Sequence, residues 1–524
     1  MLRGWRQFVR TPAAEGAQEL ITKNLENRES NFLNLMRQVV FADETNPYRR
    51  LFAWARWSYA DVERAVGREG LEATLENLRE AGVCLSHDEF KGRKPVRRAG
   101  GQIAVTPSDF VNPLVHGGLE HRTSGSGGAS LATLRSLEYQ LYIEARLSLG
   151  FKQFATPGHA FIGLMPAPPG TAGIRWMAYL PRWGYQVDRW FAIGGSLRNT
   201  AHYRTLTSLL VLQARAAGFR MPFPTYLEEN SFLPVALRIA EHKTAGVNTV
   251  LPSGVSRAVR VADAALENGL DIAGSTFLVG GEALTDAKRA IIEKTGSTVI
   301  SRYGAVELGS IGWSCRQMTS GNCVHVFEDS LALINHRQQA PFSDVEVDSI
   351  LFTTLLPFAP LVLVNVGMDD AGQLGPASCN CGWANIGMSR QAADVISYGK
   401  LSGQGASLVG SELLALLETA LPTKFGGAPV DYQLVEREGS AQTEIELRVH
   451  PRLKIKSADD VKTFFLAEIK KLWGGSLAER WWTGTEGVHV VIAEPYLSGG
   501  YKVLPLHLLG TQSAAKPPAP ARNR

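Results

Sequence analysis

The chain has 524 residues, 45% of them hydrophobic and 20% charged, which suits a folded protein too long for one ordinary core. Its 54 Lys and Arg against 50 Asp and Glu give a net charge of +4. That is too mild for a polymer-binding protein, and no basic run is interleaved with aromatics, so nucleic acid is not an expected partner.

Taken in order, Met1–Arg10 has positive charge but no long apolar region or small-residue cleavage site of a secretory leader. No later stretch approaches the roughly 20 apolar residues of a membrane span. Five cysteines, an odd and sparse count, do not make a disulfide framework. A cytoplasmic protein without a membrane span is expected.

From about residue 14 to 85 the pattern is helical, with Leu33, Leu35, Met36, Val39 and Val40 at near-helical spacing. This lead-in is expected to buttress a sheet. Lys91-Gly-Arg-Lys-Pro-Val-Arg-Arg98 reads as a solvated basic loop. Then comes Thr123-Ser124-Gly125-Ser126-Gly127-Gly128-Ala-Ser130, whose glycines and hydroxyls let backbone N–H groups converge on an anion. A flexible linker is the alternative.

From Phe151 onward, apolar runs alternate with Gly/Pro breaks and helical segments, such as Arg204–Gly218 and Arg257–Asn268. That alternation implies a largely parallel sheet with helical crossovers. Trp176, Tyr179, Trp183, Tyr185 and Trp190 could line a pocket, although core is the commoner place for any one of them. Two apolar strands end at glycine and deliver a carboxylate: Phe277-Leu-Val-Gly-Gly281-Glu282 and Thr298-Val-Ile-Ser-Arg-Tyr303-Gly304-Ala-Val-Glu307. A carboxylate just past a strand suits a metal–phosphate site in an α/β sheet.

Four of the cysteines crowd between 315 and 381. Cys315, Cys323 and His325, followed by Cys379-Asn-Cys381, supply the soft and borderline ligands that Zn²⁺ takes in a tetrahedron; free buried thiols are the alternative. Leu361–Asp370 reads as a strand ending in two aspartates, either a ribose acceptor or an acidic turn. Residues 388–405 read as a hinge, and strands at 442–449 and 488–493 flank a helix at 458–472. Gly499-Gly-Tyr-Lys502 puts a lysine on a glycine-rich turn, and the Ala/Pro-rich residues 511–524 read as a disordered tail.

In this order, the 123–130, 277–285, 298–309 and 498–505 stretches resemble the acyl-adenylate-forming superfamily. The nearest branch is that of phenylacetate–CoA ligase and the acyl-protein synthetases. The resemblance implies an α/β fold: a large N-terminal domain of mixed, mostly parallel sheets with helices, and a small mobile α+β C-terminal domain. The expected division is a helical lead-in (1–110), an adenylate-forming core (111–398), a cap (399–510) and the tail. It implies ATP and Mg²⁺, a carboxylic acid substrate, and transfer to a thiol (CoA, or the phosphopantetheine of an acyl carrier protein) or an amine.

By the same resemblance Thr123–Gly128 would hold the phosphates and Glu307 the Mg²⁺. Gly281, Glu282, Tyr303 and Gly304 would face the nucleotide, Asp370 and Arg390 the ribose, and Lys502 the reacting carboxylate and α-phosphate. Relatives of this branch carry a Cys, a His and a Cys-x-Cys at places matching Cys315, His325, Cys379 and Cys381, with Cys323 an alternative fourth ligand. Three positions depart from the pattern. Gly127 replaces a threonine with no proline or lysine following, Val306 stands where a threonine is usual, and Ile396 falls where the ribose-binding arginine is expected. These departures keep open an ATP-independent acyltransferase, or a catalytically silent binding subunit, on the same fold.

Overall fold

The computed structural model describes residues 5, 8, 10–11, 16–117, 119–122, 132–155, 158–168, 170, 172–193, 201–228, 230–319, 321–339, 346–397, 411–438, 443–473, 488–498 and 502–509. The chain divides into two compact units. The first holds residues 1–339, 346–397 and 499–502; the second holds 340–345, 398–498 and 503–524. The helical lead-in therefore belongs to the large unit and is not a body of its own.

That lead-in consists of helices Ala17–Glu26, Arg28–Leu35, Pro47–Ala55, Tyr59–Glu69, Leu71–Glu80 and the short His87–Phe90. Local chemistry sets their starts. Asn46 accepts from the Tyr48 N–H with Pro47 in the first turn, and Ser58 and Asp61 form a reciprocal capping box. Their apolar faces bury Phe32, Leu35, Met36, Leu75 and Leu78 in one cluster with Leu331, Leu333, Ile350 and Phe352 of the sheet. The helices buttress the sheet, as their periodicity suggests.

Two small hairpins come first in the chain, β1 (Val96–Arg98) with β2 (Gly101–Ile103), and β3 (Leu119–Arg122) with β4 (Ala132–Arg135). Next are β5 (Ala160–Leu164), β6 (Gln186–Ile193), β7 (Pro224–Leu227), β8 (Thr249–Gly254), β9 (Thr276–Gly280) and β10 (Thr298–Ala305). They are followed by β11 (Gly309–Trp313), β12 (Val324–Val326), β13 (Leu331–Gln339), β14 (Glu346–Thr354), β15 (Val366–Pro376) and β16 (Arg390–Ser397). β5 to β16 make a single 12-stranded sheet in the order β13-β14-β15-β16-β12-β11-β10-β9-β8-β5-β6-β7.

Only the half from β7 to β10 is parallel; every pair from β10 to β13 is antiparallel. The expectation of a mostly parallel arrangement thus holds for one half. Parallel neighbours need a crossover, which the helices between β5 and β10 provide, whereas beyond β10, among the described residues, no such helix of eight or more residues separates successive strands as far as β16. β10 is the seam. Its side chains alternate between two cores, with Ile300 in the cluster of the parallel half and Tyr303 packed on that of the antiparallel half.

The second unit holds β17 (Tyr432–Glu438), β18 (Thr443–Val449), β19 (Val488–Ile492) and β20 (Leu506–Leu509), in the order β19-β18-β17-β20. Leu434, Leu447, Val461 and Phe465 form its core with the helix Ala458–Trp473. It is α+β, and its main stretch starts at Tyr398. Among the described residues, no helix is long and apolar enough to cross a membrane.

Candidate functional site

The carboxyl ends of β9 and β10 lie side by side, with Gly280 opposite Arg302 in parallel register. Gly281 follows at φ 86°, and its carbonyl accepts the Lys502 ammonium at 2.7 Å, from 221 residues further along the chain. A Cβ at Gly281 would sit 3.3 Å from Lys502 Cε and Nζ, so the glycine leaves room for the lysine as well as for its own left-handed backbone. Gly304 marks a register shift between β10 and β11, where an added Cβ would come within 2.7 Å of the Gly309 carbonyl oxygen. Only glycine lets the chain turn there and carry Glu307 off the strand end.

Each carboxylate at this edge has a partner from within the chain. Glu307 Oε1 accepts from Lys91 Nζ at 2.6 Å, and both side chains are largely buried. Asp370 Oδ2 accepts from the Tyr303 hydroxyl at 2.6 Å. Burial, reinforced by Asp370, raises the Tyr303 hydroxyl well above its ordinary pKa, so it stays a donor. Asp369 sits at φ 58° and pairs with His87 Nδ1. Arg135, 6% exposed, donates to the Val306 carbonyl at 3.1 Å. Burial, with Arg175 close by, pushes its guanidinium down to about 10 against the opposing pull of neighbours that include Glu307.

Some expected residues stand elsewhere. β15 and β16 pair Asp370 with Ser397 and Ala371 with Ile396, but Pro376 with Arg390. Seven residues of strand, about 23 Å at ~3.3 Å per residue, separate Arg390 from the position facing Asp370. Its guanidinium meets the Leu333 carbonyl and Glu72 instead, so Arg390 is not a ribose contact beside Asp370. Glu282 accepts from Ser256 N and Oγ at the start of the helix Val255–Glu267, a capping position. The loop Thr123, Ser124, Gly125, Ser126, Gly127 and Gly128 lies outside the described residues.

The basic run is only partly a solvated loop. Lys94 is exposed beside Asp88, but Lys91 reaches Glu307 and Arg98 binds Glu89 and the carbonyls of Gly82 and Cys84. Lys91, His87 and Arg135 were not legible as site residues, because each depends on a contact far along the chain. The aromatics Trp176, Tyr179, Tyr185 and Trp190 are buried together in the core of the parallel half, with Trp183 packed against it.

A second constellation lies in the antiparallel half. Cys315 follows β11, His325 lies in β12 opposite Trp313, and Cys379 and Cys381 occupy the turn between β15 and the helix Gly382–Asn385. One ligand atom from each of the four falls within 4.8 Å of the others. His325 Nε2 is 3.0 Å from Cys379 Sγ and 3.1 Å from Cys381 Sγ, and Cys315 and Cys379 sulfurs are 3.7 Å apart.

The Met388 carbonyl, 3.1 Å from His325 Nδ1, can only accept. Nδ1 is therefore the donor and Nε2 presents its lone pair to the cysteines, the arrangement a metal-ligating histidine uses. A hydrogen bond from Cys315 pulls the Cys381 thiol down to about 3, while the same bond raises Cys315. Cys323 stands apart, its sulfur 3.5 Å from Gln391 Oε1. Three sulfurs and one imidazole fit Zn²⁺ in a closed tetrahedron with no open position.

The chain matches no protein-family model and no curated protein. Among solved structures it is similar to an open conformation of 2-hydroxyisobutyryl-CoA ligase in complex with 2-HIB-AMP and CoA. The identity is 12% and the TM-score 0.42, over 85% of this chain and 90% of that one. It is similar to the anthranilate CoA ligase AuaEII in complex with anthranoyl-AMP at 9% identity and TM-score 0.44, over 74% of this chain and 65% of that one. The amide bond synthetase McbA from Marinactinospora thermotolerans gives 11% and 0.40, over 84% and 80%.

Proposed function

We propose that the chain activates a carboxylic acid as its acyl-adenylate, using ATP, and passes the acyl group to a thiol (CoA or a carrier-protein phosphopantetheine) or to an amine. The observation that carries this reading is Lys502 on the Gly281 carbonyl, at the carboxyl edge of β9 and beside the seam strand that delivers Glu307. Carboxyl edges of parallel strands are where open α/β sheets bind ligands.

In the adenylation step the acid's carboxylate oxygen attacks the α-phosphorus, an O–P bond forms, and pyrophosphate leaves with the electron pair of the broken bond. The obstacle is repulsion between anions, so cations and N–H donors matter more than a general base. Lys502 would neutralise charge between the two reactants. Arg135 would supply the cation that the 123–128 loop lacks at its end. Asp370, oriented by Tyr303, would accept from ribose hydroxyls. Glu307 offers the hard oxygen that Mg²⁺ prefers, although Lys91 already holds one of its two oxygens. Bound there, Mg²⁺ would offset phosphate charge. The four-ligand cluster would hold a structural Zn²⁺. Pyrophosphate exchange across a panel of acids, compared between the unmodified chain and Lys502→Ala, tests the reading; exchange at the full rate in the variant would sink it.

A second reading is favoured by the Lys91–Glu307 pair and by Val306, which lacks a hydroxyl. With the acidic site already neutralised, the same fold would move an acyl group from a preformed thioester to an acceptor without ATP. Formation of one AMP per turnover excludes it.

A further inference from the structure

The face of β10 opposite Tyr303 carries a cation without a counter-charge. Arg302 lies across from Gly280 on one side and Trp313 on the other, one residue away from Gly281, the acceptor of Lys502. Its guanidinium stands 4.6 Å from the Trp176 ring centroid and 5.9 Å from that of Trp313. Among the described residues it makes no hydrogen bond or ion pair, and its Nε is closed off from solvent with no partner. Burial with nothing to offset it pushes the guanidinium down to about 10.

Arg135 likewise donates only to a carbonyl, that of Val306, among the described residues, but two other enclosed arginines are matched. Arg146 faces Asp329 and Arg182 faces Glu144. Stacking on tryptophan is weaker than the desolvation suffered by a cation enclosed without a counter-charge, so the rings lie against the half-buried Arg302 without compensating it. Its terminal N–H groups have no partner among the described residues and can pair with a planar anion. Among the described residues no acid pairs with Arg302, and Glu307, the acid that attracts Arg135, is taken by Lys91.

We propose that Arg302, held by Trp176 and Trp313, receives a second anionic group on the substrate, so that the acid taken is a dicarboxylate. One carboxylate sits on the Arg302 guanidinium and the other lies on the Lys502 side of the β9–β10 edge. The binding claim stands on the arginine; its catalytic meaning rests on the adenylation reading above.

The test is calorimetric titration of the full chain, without nucleotide, with succinate, adipate and terephthalate, each against its monomethyl ester. The expected result is that at least one diacid binds tenfold or more tightly than its ester. That preference should vanish in Arg302→Met and survive in part in Arg302→Lys. The ligand-free melting temperature of Arg302→Met should equal or exceed that of the unmodified chain, since a half-buried cation without a counter-charge has been removed. A lower melting temperature would mark a structural arginine and overturn the proposal. So would equal binding of diacid and ester, no binding by any of the three diacids, or a preference that persists in the Met variant. Failure of the adenylation reading shows separately, as no binding of Mg·ATP to the unmodified chain whatever the diacids do.

Discussion

Lys91 and Glu307, 216 residues apart in sequence, share a 2.6 Å charge-assisted hydrogen bond. A divalent cation can use Glu307 fully only by displacing that ammonium. Such a bond is worth roughly 1.5–3 kcal/mol, so Lys91→Met should tighten Mg²⁺ binding by about tenfold or more. Titration with Mg²⁺ or Mn²⁺ in the presence of ATP reads this directly, and unchanged affinity would mean that the metal does not use Glu307.

Lys502→Ala should lower adenylation by at least ~100-fold, the scale of removing one charge stabiliser from a reacting centre. Binding of Mg·ATP should change by less than about threefold. A large loss of ATP affinity with normal turnover of the bound fraction would make Lys502 a binding residue instead.

Native mass spectrometry should find one Zn²⁺ per chain. Cys315→Ser or Cys379→Ser should abolish it, while Cys323→Ser should retain it, because Cys323 contacts Gln391 and not the cluster. Metal removal should cost several kcal/mol of stability, as closed zinc sites contribute directly to folding. A metal-free chain that melts no lower than the loaded one would refute the structural role.

Buried Asp329 faces Arg146 and accepts from the Tyr142 hydroxyl. Burial outweighs the arginine and pushes its pKa up to about 6. Between about 4, the usual unfolded value, and about 6, the native chain holds a proton that the unfolded chain has lost. Stability from this group is thus greatest at low pH and falls as pH rises through that window, by about 3 kcal/mol in all. Asp329→Asn should remove that slope in denaturant titrations between pH 4 and 7, while lowering stability overall because Arg146 loses its acid. An identical pH slope in the variant would exclude the assignment.

The zinc-site candidates could be named from sequence because Cys379-x-Cys381 is local and the family resemblance matches Cys315 and His325 to it. Choosing between Cys315 and Cys323 needed the register of β11 against β12. Gly281, Gly304 and Glu307 were legible for the same local reason, since glycine and a carboxylate after an apolar run mark a strand end. Lys91 was not: in a basic run every lysine looks solvated, and its partner is set by tertiary packing. Arg390 was misplaced by its nearness in sequence to Ile396, when seven residues of strand are a long way in space. The antiparallel half escaped because apolar strands look alike in either direction, and direction is fixed by what joins them.

The lead-in helices have one more consequence, for anyone trimming the protein. Residues 16–95 carry no expected site residue, but they cover β13 and β14 and also bring His87 to Asp369 and Lys91 to Glu307. A shortened chain beginning at β1 would expose an apolar sheet face and leave two acids without counter-charges. Its metal demand and solubility would then describe a different molecule, so the minimal folded unit has to include the helices.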